Sequence, residues 1–153
     1  YPDFIDIIEP RVWVYKEDPK NNEKYGKLYN WYAVKTGKLA PTGWHIPPEA
    51  EWTILINNLN AASAGGKMKS TSSLWRTPNT GSNNISGFSG LPGGYYSYAG
   101  STTGDVGNFG YWWSSTEGST GYALSYNLGY NTSSVGRNYS NTHFGFSVRC
   151  VKN

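Results

Sequence analysis

Beyond Gly65 the chain never again strings apolar residues at helical spacing. Its apolar runs there are short, rich in Trp, Tyr and Phe, and separated by clusters of Gly, Asn, Ser and Thr. Short aromatic runs with such punctuation read as strands joined by tight turns. The expected strands are residues 88–96, 110–115, 123–128, 135–139 and 144–151. The last alternates, with Phe144, Phe146, Val148 and Cys150 on one face and Ser147 and Arg149 on the other. The 19 Gly follow no collagen period and fit many turns and bulges. Seven Trp and thirteen Tyr supply a core of large rings although only 37% of residues are hydrophobic.

The clearest helix precedes this region. Pro47-Pro48 opens it, Glu49 and Glu51 suit its N-terminal turn, and Trp52, Leu55, Ile56 and Leu59 form one apolar stripe. Asn60 or Gly65-Gly66 ends it, and no second helix is expected after Gly65. Residues 25–34 (YGKLYNWYAV) fit either a helix or a strand. Residues 17–23 read as a turn or loop. Residues 1–24 form an N-terminal extension in which Phe4, Ile5, Ile7 and Ile8 make an apolar run. Val12 and Val14 then alternate with Trp13 and Tyr15. The expected fold is α+β: one or two short helices packed on a twisted antiparallel β meander with long Gly/Ser-rich loops, in a single domain over residues 25–153.

Several functions are disfavoured. The net charge of +3 reflects few acids rather than many bases, and no basic stripe for nucleic acid is visible. No stretch approaches the ~20 apolar residues of a membrane span. Eight of the ten acids lie within residues 1–51, leaving only Asp105 and Glu117 beyond. Paired acid–base chemistry therefore has little equipment. His45 and Glu49 have a spacing that can hold a metal, but Pro47-Pro48 lie between them and no further ligand joins them. His45 reads better as a packed or capping residue. Residues 104–110 (GDVGNFG) read as a flexible loop, and Cys150 as a small buried hydrophobe. No metal or cofactor is expected.

Aromatic residues are the candidate ligand or interface groups: Tyr95, Tyr96, Trp112, Trp113 and Tyr126. Trp112 and Trp113 face opposite sides of a strand, one in the core and the other a candidate for exposure. Tyr122, Tyr126 and Tyr130 recur at a spacing of four. Asn84, Asn131 and Asn138 stand in N-x-[ST] sequons and are candidate glycosylation sites.

Four stretches resemble the Fibrobacter succinogenes major paralogous domain family: YGKLYNWYAV at 25–34, PTGWHIPPEAEW at 41–52, GFSGLPGGY at 87–95 with GYWWSST at 110–116, and GFSVRCVKN at 145–153. The family is similar to the C-type-lectin-like fold of formylglycine-generating enzymes. The resemblance implies that fold and a secreted or cell-surface location, but no reaction. Formylglycine-generating chemistry needs more cysteine than Cys150 alone, and the EPN, QPD and WND calcium motifs of animal lectins are missing. Ala40 stands where family members often carry a Cys that could pair with the C-terminal one. Residues 1–24 do not match the usual N-terminal strand motif, and a fold short of a strand exposes a sheet edge. Phe4, Ile5, Ile7, Ile8, Val12, Trp13 and Val14 are then candidates for an inter-subunit strand, which repeated head to tail builds a fibre; the alternative is that residues 1–16 pair with their own sheet. The expected function is a non-enzymatic structural or adhesive protein that self-assembles. The alternative is a carbohydrate-binding module using exposed Trp and Tyr.

Overall fold

The computed structural model describes residues 8–153. Strand β1 (Val12–Trp13) lies antiparallel to β2 (Leu28–Tyr29), pairing Trp13 with Leu28. Helix α1 (Pro19–Tyr25) joins them where a loop was expected. Asp18 caps α1 by accepting a hydrogen bond from the Lys20 amide at 3.0 Å, Pro19 fits the first turn, and Gly26 ends the helix at φ 74°. No residue of α1 is buried, so it carries no apolar stripe that periodicity could reveal.

The ambiguous segment that follows is both things in turn. After β2 the chain turns at Asn30 into α2 (Trp31–Lys35). The Asn30 Oδ1 accepts from the amides of Ala33 (3.1 Å) and Arg11 (2.9 Å), and its Nδ2 donates to the Glu9 carbonyl at 2.8 Å. One buried side chain thus caps a helix and ties residues 9–11 to the body of the protein.

Strand β3 (Trp44–His45) precedes α3 (Glu49–Asn58), the expected helix. Asn60, at φ 67°, turns the chain after it. Contrary to expectation, a further helix follows, α4 (Ala64–Met68), with Gly65-Gly66 inside it. A Cβ on Gly65 would collide with the Ser134 carbonyl and one on Gly66 with the Gly81 carbonyl. These glycines allow close backbone approach, which overrides their poor helix propensity.

The β region contains a hairpin of β4 (Tyr95–Ser97) with β5 (Thr102–Gly104), and a meander of β6 (Phe109–Glu117), β7 (Tyr122–Gly129) and β8 (Gly136–Asn141) in that order. Strand β9 (Val151–Lys152) pairs with β3. The meander matches three expected strands. Residues 88–94 do not form the expected ladder, because Pro92 lacks an amide hydrogen and contact there is limited to the single bridges Lys69–Gly90 and Gly94–Gly110. The expected strand at 144–151 is ladder-paired only at Val151. Its earlier residues instead bridge three elements: Tyr29 with Phe146, Tyr96 with Gly145, and Trp112 with Ser147.

These bridges join the pieces. Tyr29 and Phe146 exchange both backbone hydrogen bonds (2.8 and 3.0 Å), and Ser147 bonds to Tyr111 and Trp113 (3.0 and 3.1 Å). A hydrogen-bonded layer therefore runs β1, β2, residues 145–147, β6, β7, β8. Its two faces carry separate cores. On one, Trp112, Leu124, Tyr126 and Leu128 pack with Trp52 of α3 and Met68 of α4. On the other, Trp113 and Ala123 pack with Trp31, Val34 and Phe146, joined by Phe144, Val148 and Cys150 as the expected alternation requires. The architecture is α+β, with four short α-helices among the described residues rather than one or two.

Candidate binding surface

Among the described residues, three ion pairs engage His45, Glu49, Glu51, Glu117, Lys35 and Arg137. His45 sits at the end of β3, 2.7 Å through Nε2 from a carboxylate oxygen of Glu51 and 2.6 Å through Nδ1 from the Asn153 Oδ1. Both ring nitrogens face acceptors, which only the protonated ring can serve as a double donor. The Asn153 and Glu51 bonds accordingly raise its pKa above the usual histidine range. Glu49, the other half of the metal pair considered above, instead accepts from the Arg137 Nε at 3.1 Å. Glu117 pairs with Lys35 at 3.0 Å. Asp105 accepts from the Tyr111 hydroxyl at 2.7 Å, and burial together with this acid holds the phenol well above its usual pKa. Burial also raises the Cys150 thiol. No group of three His, Cys, Asp or Glu is placed to hold a metal among the described residues.

Within residues 104–110, read as a loop, residues 105–108 make a turn between β5 and β6 with defined bonds. Asp105 adopts φ 62° and its carbonyl accepts from the Asn108 and Phe109 amides at 2.9 Å, while the Gly107 amide donates to Pro92 at 2.9 Å. Lys69 carried no signal in the sequence, yet it has no exposed surface. Its ammonium donates to the carbonyls of Thr80, Gly129 and Thr132, each at 2.8 Å. Burial lowers its pKa to about 8. Three acceptors oppose deprotonation, since a neutral amine can serve only two of them.

Trp112 and Trp113 do face opposite sides of β6, but neither is exposed: they retain 6% and 0% of their surface because each face has its own core. Tyr126 retains 2% and stacks on Trp52 at 4.5 Å. None of these three offers a ring face to a ligand. Tyr96 is half-buried and stacks on Trp13 at 4.3 Å. Tyr95 stands edge-on to Tyr111 and Phe144, at 5.8 and 5.7 Å, in the floor of an open trough. Among the described residues, the rings most open to solvent are Trp44, Tyr122 and Tyr139. Of these, sequence had marked only Tyr122, as part of its spacing-four series.

Of the candidate inter-subunit residues, Phe4, Ile5 and Ile7 lie outside the described residues. Ile8 is 65% exposed. Val12 and Trp13 pair within the chain through β1, and Val14 is half-buried. At the opposite end of the layer, β8 pairs with β7 on one side, and no strand or bridge lies along its other side among the described residues. Sequon residues Asn131 and Asn138 are exposed, and Asn138 donates to the Asn127 Oδ1 at 3.0 Å. Asn84 is half-buried, with its Nδ2 donating to the Ser89 hydroxyl at 2.8 Å.

The chain matches the model of the Fibrobacter succinogenes major domain over residues 5–152, and it belongs to that family. The match begins at residue 5, whereas the motifs that carried the resemblance begin at residue 25. No curated protein and no solved structure matches the chain.

Proposed function

We propose that this chain is a non-enzymatic structural or adhesive module of an exported, cell-surface protein, and that copies of it associate along β8. Its α+β arrangement is, on this reading, a variant of the C-type-lectin-like fold. The observation that carries the proposal is the outer edge of β8, which no strand or bridge pairs among the described residues, at the far end of a hydrogen-bonded layer that starts at β1. An unpaired edge offers backbone donors and acceptors to any extended segment. β8 holds no proline and a single charge, Arg137, which is drawn aside to Glu49. It therefore lacks the usual protection of an edge strand.

The proposed occupant is the apolar run Phe4, Ile5, Ile7 and Ile8 of a neighbouring copy. Asn30 holds Glu9 and the Arg11 amide, and β1 pairs in its own chain, so exchange involves the residues before Glu9. The donor segment and the acceptor edge are different parts of the chain, so the contact is heterologous, and where its rotation closes no ring it repeats as a fibre. The separate pairs Lys35–Glu117, His45–Glu51 and Arg137–Glu49 support a non-catalytic role. Size-exclusion chromatography and negative-stain imaging test the reading. The intact chain is expected to form polymers that deletion of residues 1–8 abolishes. An intact chain that stays monomeric at every concentration overturns it.

A further inference from the structure

Ile54 stands on α3 outside the stripe of Trp52, Leu55, Ile56 and Leu59, and it is 60% exposed. Beside it opens a pocket of about 590 Å³, a volume that suits a small molecule. Its walls include Glu51, Ile54 and Leu55 of α3, Phe88, and Arg149 and Val151 near the end of the chain. Val151 is also open to solvent, so two exposed aliphatic side chains meet at one place. Such a cluster marks a contact site, whereas a scattered exposed residue does not. Strand alternation puts Arg149 and Val151 on one face. Val151 pairs with His45, which reaches Glu51 on α3, so that face looks toward the helix. The Arg149 guanidinium lies 4.5 Å from the Phe88 ring centre and donates to the Phe88 carbonyl.

The charges of the pocket are unequal. Glu51, the only acid of the lining among the described residues, is held by His45 at 2.7 Å. Arg149 has no ion-pair partner among the described residues and keeps N–H donors beyond the one given to Phe88. Lys152, which follows Val151 on the other face, adds a second cation to the lining. A cationic ligand finds no free acid here, and a neutral apolar one leaves the guanidinium unused. A carboxylate on an apolar body meets both demands, because the planar guanidinium fork matches a carboxylate. The wall at residues 86–88 has no spare amide. Ser86 and Gly87 donate to the Lys67 and Asn84 carbonyls, and Phe88 to the Ser86 hydroxyl. Side chains therefore do the recognising on that wall, which favours a small molecule over an extended peptide. We infer that this pocket binds a small amphiphilic carboxylate, its apolar body against Ile54, Leu55 and Val151 and its carboxylate on Arg149. The site goes beyond the assembly reading, since none of its described lining residues belongs to β8.

Titration calorimetry tests it with octanoate and phenylbutyrate, which separate an aliphatic from an aromatic body. Octanol and octyltrimethylammonium serve as neutral and cationic comparisons, and a capped peptide of alternating Glu and Leu stands for a polypeptide partner. At least one of the two acids is expected to bind, about tenfold or more tighter than octanol. Arg149→Gln should remove that preference, and Ile54→Ser should weaken acid binding about tenfold. Both side chains are exposed, so circular dichroism should stay unchanged, and polymer formation should be untouched. The inference is overturned if neither acid binds at about 10 mM, or if octyltrimethylammonium binds as tightly as the acids. It is equally overturned if Arg149→Gln keeps the preference for the acid, or if the peptide binds more tightly than both acids.

Discussion

Lys69 reaches from the end of α4 into a cage of three backbone carbonyls that belong to two different loops. A buried carbonyl without a donor costs roughly 1–3 kcal/mol. Lys69→Met, which keeps the length and removes the donors, is therefore expected to destabilise the fold by about 3 kcal/mol or more, read as a lower urea midpoint at an unchanged slope. His45 makes a pH-dependent contribution. Its pKa is raised in the folded state by Asn153 and Glu51. The stability it adds is thus fully present below the unfolded value near 6.5 and is lost as pH rises through the folded value. The melting temperature should fall across that window, and His45→Gln should flatten this part of the profile. An identical profile in the variant would assign the effect to another group.

Helix α4 shows how local preference and tertiary contact can point in opposite directions. Replacing glycine by alanine inside a helix normally stabilises by about 1 kcal/mol. At Gly66 the added methyl meets the Gly81 carbonyl, which is backbone and cannot swing aside. Gly66→Ala is expected to destabilise, by about 1–3 kcal/mol as overpacking does. A thermal melt showing a more stable variant would refute the close-approach account. The same conflict explains what sequence could and could not reveal. Helix α3 was legible because Trp52, Leu55, Ile56 and Leu59 all pack into one core. Helix α1 has no fully buried residue, and α4 is held by what its glycines permit, so neither leaves an apolar period. The meander was legible from its short aromatic runs set between Gly, Asn, Ser and Thr clusters. The buried state of both Trp112 and Trp113 was not, because it depends on helices and loops covering both faces of the sheet. Lys69 was illegible for a related reason: its partners are carbonyls, which every residue has.

Across the molecule, isolated bridges at residues 145–147 weld β1–β2 and the meander into one layer with unlike ends. One end is anchored through Asn30 and precedes an apolar segment, and the other is the flank of β8 that no strand pairs among the described residues. A layer of this kind extends by adding strands at its free edge, and the proposed surface role follows from that property rather than from any reactive group. Hydrogen exchange followed by mass spectrometry on residues 136–141 reads the edge itself. In chains lacking residues 1–8 the amides there that point away from β7 should exchange readily, and adding a synthetic peptide of residues 1–10 should protect them while leaving the amides of α3 unchanged. Unaltered exchange in β8 at saturating peptide, or protection that appears elsewhere instead, would contradict assembly through this strand.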